Sequence, residues 1–161
     1  MLVVADSSPF IGLIKIGQVE VLPKLFDTIA VPAVVVSELQ SPKRPEAVRQ
    51  FIASSPPWLS IHQPSSIEEI EGLDAGETAA IAPALELKAE LLLIDEARGR
   101  QAAIQREIQT VRTAAVIFEA AKAGFIPDLR TAFEKLKATD FRVPKQALDE
   151  LLRRYEQTKT P

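Results

Sequence analysis

The sequence lacks cysteine altogether and has a single histidine, His62. Without cysteine there is no disulfide framework, no thiol nucleophile and no thiolate zinc site. With one histidine, neither a histidine-rich metal site nor an intramolecular histidine pair can form. Aromatic residues make up only 6% of the chain, which leaves little material for base-stacking platforms. No run approaches the roughly 20 apolar residues needed to span a bilayer. The N-terminus, Met1-Leu2-Val3-Val4-Ala5-Asp6, has no basic segment and meets an acid early. It therefore does not read as a signal peptide, and a cytoplasmic protein with no membrane partner is expected. Neither a Gly-x-Gly-x-x-Gly run nor a phosphate-binding P-loop occurs, which argues against the common nucleotide-binding enzymes.

What is present suits an ordinary globular protein. The 161 residues are 47% hydrophobic and 25% charged, with a net charge of −3. This length predicts a single domain over residues 1–161, with 157–161 as a frayed tail. The charge is unevenly spread. Residues 1–97 hold 6 basic and 14 acidic side chains, net −8, whereas residues 98–161 hold 13 basic and 8 acidic, net +5. An acidic first part beside a basic last part suits a cation site next to a surface that meets a polyanion. It also suits two differently solvated helical faces.

Apolar β-prone runs alternate with helical patterns. Strands are expected at 2–5, 28–31, 59–62, 91–94 and 108–111. Helices are expected at 10–16, 19–26, 46–53, 77–88, 98–106, 113–122, 128–137 and 144–156, with another opening near Ser66, Glu68 and Glu69. Pro83 should kink its helix or shift the ends, and Gly124 reads as the residue that stops the helix before it. Residues 32–39 are ambiguous: Val34-Val35-Val36 favours strand, while Pro32 favours a helix start. The alternation predicts an α/β layer fold with a mainly parallel sheet.

Two strands end alike, as Leu-Val-Val-Ala-Asp6 and Leu-Leu-Leu-Ile-Asp95. Parallel strands share a direction, so both aspartates fall on the carboxyl edge, where open α/β sheets bind ligands. If the strands are neighbours, about 4.8 Å apart, the two carboxylates repel unless a divalent cation joins them. Oxygen ligands alone favour Mg2+ or Mn2+ over zinc. The plainer alternative is that each aspartate caps the helix that follows. Glu38, in an apolar stretch, and Glu77, near a helix start, are further candidates. Asp74 suits a turn or cap, and Glu96 adjoins Asp95.

These residues also carry a family resemblance. Asp6-Ser7-Ser8-Pro9-Phe10-Ile11 with Leu13, Val31-Pro32 with Val35 and Glu38-Leu39, Gly76-Glu77 with Ala80-Ile81, and Ile94-Asp95-Glu96 with Arg100 and Ala103 together resemble the PIN-domain nucleases. Within them the chain is most similar to the prokaryotic branch related to VapC toxins, over roughly residues 1–127. The resemblance implies a PIN-like three-layer α/β/α sandwich in which residues 32–39 are helical. It places the family's acidic quartet on Asp6, Glu38, Glu77 and Asp95, as metal ligands and catalytic residues. It implies an Mg2+- or Mn2+-dependent endoribonuclease, with RNA as substrate, an antitoxin protein as partner and a homodimer as the assembly. Ser8, Arg100 and Thr113 are then candidate contacts to phosphate or water, and Arg98 and Arg112 lie where an RNA backbone would pass. The chain departs from the branch in four places. Arg112 stands where a glycine is usual, Glu96 stands where a second aspartate is usual, Pro83 interrupts a helix, and no aspartate lies near position 113. Two other classes fit the residues less well: a PIN-like module that binds RNA or protein without cutting, and a phosphoacceptor domain, for which no lysine is suitably placed.

Overall fold

A computed structural model describes residues 1–63 and 75–159, with the backbone alone for 75–78. The expected helix near Ser66 to Glu69, and Asp74, lie outside the described residues. The chain runs through β1 (Val3–Ala5), α1 (Ser7–Lys15), α2 (Val21–Phe26), β2 (Ile29–Pro32), α3 (Ala33–Leu39), α4 (Glu46–Ala53) and β3 (Leu59–His62). It continues through α5 (Ala75–Glu86), β4 (Leu91–Leu93), α6 (Ala97–Gln105), β5 (Thr110–Val111), α7 (Thr113–Lys122), α8 (Leu129–Lys137) and α9 (Lys145–Lys159).

The strands form one sheet in the order β3-β2-β1-β4-β5, and every pairing is parallel. Helices cover both faces, giving the three-layer α/β/α sandwich expected from the sequence. The strand side chains alternate between two cores. Val3, Ala5, Ile29, Val31, Leu91 and Leu93 face one, while Val4, Ala30, Leu92 and Ile94 face the other. Because both faces are buried, the strands read as continuous apolar runs instead of alternating patterns. The first core is filled from α1, α2, α3, α4, α7, α8 and α9, and the second from α5 and α6. Parallel crossovers are right-handed, so connections moving to opposite sides of β1 must lie on opposite faces. The chain accordingly winds from β1 to β2 and β3, then crosses to β4 and β5. The order reverses between β1 and β4.

The ambiguous stretch is helical. Val35, Val36 and Leu39 are buried at helical spacing, while Val34 and Ser37 face outward. Pro32 ends β2 in extended backbone and serves as the N-cap of α3, one residue earlier than a first-turn proline. Pro83 does not delimit its helix: α5 continues through it to Glu86, and Leu87 N–H bonds to the Pro83 carbonyl at 2.9 Å. Gly124 follows the end of α7 at φ +82°, where a side chain would be strained, and Phe125 N–H returns to the Ala120 carbonyl. The last helix reaches Lys159, three residues past the expected end. Its final turn includes a bond from the Thr158 hydroxyl to the Tyr155 carbonyl, and Tyr155 is buried.

Candidate active site

The site is built where the strand order reverses. Val3 to Ala5 pair with Leu91 to Leu93, so Asp6 emerges beside Ile94 and one residue before Asp95. The Asp6 N–H bonds to the Leu93 carbonyl at 2.9 Å, extending the ladder to the carboxyl edge. Asp6 and Asp95 therefore leave adjacent strands on the same edge, as the matched strand ends predicted.

Neither aspartate caps the helix that follows it. Asp6 occupies the N-cap position of α1, but its side chain makes no capping bond there. Glu96, not Asp95, caps α6, accepting from Arg98 N–H at 3.5 Å. That role draws the Glu96 carboxylate toward the first turn of its own helix.

Asp95 is held by three donors. Its Oδ2 accepts from the Ser8 hydroxyl at 2.7 Å and from the Thr113 hydroxyl at 2.6 Å. Its Oδ1 accepts from the Thr113 N–H at 3.0 Å. Asp95 thus caps α7, a helix that begins 18 residues later, and Ser8 ties the first turn of α1 to the same carboxylate. Thr113 is fully buried, with 0% exposure, and its hydroxyl is committed to Asp95. A carboxylate has about four acceptor positions, so three donors leave room for one more partner on Oδ1.

Arg100 reaches back from α6, and its Nε donates to the Asp95 carbonyl at 3.2 Å. Burial, then the charge of Arg112, hold the Arg100 guanidinium below its ordinary pKa, while Asp95 and Glu96 act in the opposite direction. Arg112 follows β5 and is the N-cap of α7. Negative and positive side chains thus stand side by side along one sheet edge.

The remaining two acids are less closely tied to the site. Glu38 is half-buried on α3, which starts directly at the carboxyl end of β2. That helix packs against α1 from one layer and α5 from the other. Glu77 lies in the first turn of α5, and its side chain is outside the described ones. The structure therefore joins Ser8, Arg100 and Thr113 to Asp95, sets Asp6 at the end of the neighbouring strand, and leaves Glu38 on α3 and Glu77 on α5. Among the described residues no group of three or more His, Asp or Glu side chains is placed to hold a metal ion. Asp6 and Asp95 offer hard oxygen donors. Mg2+ retains several waters and takes as few as one or two carboxylates, so this donor set fits Mg2+ or Mn2+ and not zinc.

The holding of Asp95 by Ser8 and Thr113 was not legible in the sequence. The one hint is that both residues open helices, at the second position of α1 and the first of α7.

Comparison with known proteins bears on the fold and the family. The chain is similar to a PilT N-terminus domain protein, SSO1118, from the hyperthermophilic archaeon Sulfolobus solfataricus P2. The TM-score is 0.55 and the identity 18%, covering 72% of this chain and 90% of that one. At that identity the likeness speaks to the fold. No curated protein matches the chain significantly. Among the described helices none is long and apolar enough to cross a membrane. A family model described as a PIN domain, DUF3368, matches residues 2–157. That match takes in all five strands and the edge bearing Asp6 and Asp95, and the chain belongs to the PIN-domain family, whose members are generally nucleases.

Proposed function

We propose that the chain is a metal-dependent endoribonuclease that hydrolyses RNA phosphodiester bonds, with residues 1–161 acting as one PIN-like domain. The observation that carries this reading is the pairing of β1 with β4, from which Asp6 and Asp95 emerge together at the reversal point of the sheet. Asp6 and Asp95 would hold Mg2+ or Mn2+, with Glu38 and Glu77 joining directly or through water. When bound, such an ion lowers the pKa of a water and offsets charge building on the phosphate. Ser8 and Thr113 orient the Asp95 carboxylate, and Arg100 meets the RNA backbone. No histidine base is required. On this reading the protein is a cytoplasmic, homodimeric relative of the VapC toxins, held in check by a small antitoxin protein.

The test is Mn2+-dependent cleavage of single-stranded RNA by Asp6→Asn and Asp95→Asn. Asparagine fits at 95, because its oxygen can face the Thr113 N–H while its amide donates to the rotatable hydroxyls of Ser8 and Thr113. Each variant should keep the native circular dichroism spectrum and lose cleavage by at least about 100-fold, the scale expected for removing a group that stabilises transition-state charge. Cleavage by the double variant at the wild-type rate would overturn the proposal.

A second reading, a PIN-like module that binds RNA or protein without cutting, has one observation in its favour. Three of the acceptor positions on Asp95 are already filled by Ser8 and Thr113. Tight RNA binding with no cleavage at saturating Mn2+ would favour it.

A further inference from the structure

We propose that Arg100 and Arg112 form a clamp for a backbone phosphate next to the scissile one, so that the site takes an internal linkage of a single strand and not an isolated phosphate ester. The inference rests on the nuclease reading and deepens it by naming what the substrate must carry.

The clamp follows from the sheet edge. Ile94 N–H bonds to the Val111 carbonyl at 3.0 Å, and Leu93 pairs with both Ala5 and Val111, so Asp6 and Arg112 leave β1 and β5 on either side of Ile94, one residue before Asp95. Asp6, Ile94 and Arg112 are therefore level across three neighbouring strands about 4.8 Å apart, and Asp95 follows at the end of the middle one. Arg100 enters the same corner from α6, with its Nε anchored on the Asp95 carbonyl. That bond leaves the outer two nitrogens of its guanidinium available. Both arginines are half-buried. Among the described residues neither forms an ion pair, although other arginines of this chain do, as in Arg130–Glu156 and Arg153–Glu150.

The two guanidiniums enter one corner of the sheet edge with no ion pair to either among the described residues, and a shared anion offsets their mutual repulsion. A phosphate matches the planar fork of arginine and accepts from two such forks at once. The anion cannot belong to the carboxylate end of the row, where Asp6 and Asp95 repel it unless a cation intervenes. It lodges at the β5 end, one step along from the metal-binding acids, which is where the neighbouring linkage of an extended strand falls. A strand bound this way runs across the edge from β1 toward β5.

The test combines backbone chemistry with substitution. Short fluorescein-labelled single-stranded oligoribonucleotides are prepared with one linkage at a time replaced by a neutral methylphosphonate. Binding to the Asp6→Asn protein is read by fluorescence anisotropy across a salt series. One linkage should weaken binding by about tenfold when neutralised, the scale of one charge-assisted hydrogen bond. In the Arg100→Gln/Arg112→Gln background that same linkage should no longer matter, while other linkages keep their effects. The salt slope should also fall by about 0.7 for each phosphate that the protein no longer neutralises. If every linkage shows the same sensitivity in both backgrounds, the clamp is wrong. The nuclease reading is judged separately, by cleavage with wild-type protein. Loss of cleavage with the interference pattern intact would fault the nuclease reading alone, and cleavage without the pattern would fault the clamp alone.

Discussion

Thr113 gives the Asp95 carboxylate both donors it owns, the backbone N–H to Oδ1 and the hydroxyl to Oδ2. The two residues are 18 positions apart and meet because β4 and β5 are neighbours that end on the same edge. The first turn of α7 is thereby capped from outside its own segment, and the carboxylate is fixed from both oxygens. Ser8 adds a third bond from α1. The three bonds turn a surface acid at a strand end into a rigid part of the site.

Thr113→Val keeps the buried shape and removes the hydroxyl. It should lower stability by about 1–3 kcal/mol, because Asp95 loses a donor supplied by the fully buried Thr113 side chain. Thr113→Ser keeps the donor and removes a buried methyl, at about 1 kcal/mol. Urea denaturation measures both. RNA cleavage should survive the serine variant and fall sharply in the valine variant. Equal cleavage by the two would show that the hydroxyl does not position Asp95.

Gly99 is required by close packing. A Cβ there would lie 2.6 Å from Ile94 Cδ1, and Ile94 is fully buried in the core beneath α6. Gly99→Ala should cost about 1–3 kcal/mol by overpacking, reduced by the better helix propensity of alanine. Ile94→Val alone should cost about 0.5–1.5 kcal/mol. The double variant should be more stable than the two separate losses predict, because valine lacks the offending Cδ1. Strict additivity in chemical denaturation would contradict this.

Asp128 caps α8, accepting from Thr131 N–H at 3.0 Å and from the Thr131 hydroxyl at 2.8 Å. The side-chain bond, then the backbone bond, holds its pKa below the ordinary 3.8. A carboxylate with a depressed folded pKa contributes stability that is full above its unfolded value and is lost as pH falls through the folded value. Asp140, paired with Lys15, is lowered for the same kind of reason and acts in the same direction. The stability difference between wild type and Asp128→Ala should therefore be largest at neutral pH and shrink on acidification below 3.8. Asp128→Asn should keep the cap without that pH dependence. A difference unchanged between neutral and strongly acid pH, followed by thermal melts, would count against it.

Metal binding should register as stability apart from any cleavage. A ligand that binds only the folded chain at about 100 times its Kd adds roughly 2.7 kcal/mol. Mn2+ should raise the Tm of the wild-type protein, and a chelator should reverse the shift. Asp6→Asn/Asp95→Asn should show no such rise. An equal Tm increase in that variant would place the ion elsewhere.

Much of this protein was determined by local sequence. The runs Leu2 to Ala5 and Leu91 to Ile94 are strands because short β-prone segments buried on both faces need no polar alternation. The aspartates that end them mark the carboxyl edge of the sheet for the same reason, since a charge cannot continue a buried strand. Residues 32–39 could not be decided locally, because three consecutive valines favour strand while Pro32 favours a helix start. Packing decided it, by burying Val35, Val36 and Leu39 on one helical face. Tertiary structure alone also decided that β1 lies beside β4, that Thr113 and Ser8 hold Asp95, and that Arg112 stands one strand beyond it. Propensity and periodicity act within a few residues, whereas strand order and these bonds join segments 18 to 87 positions apart, and only the shared burial of the whole sheet selects them.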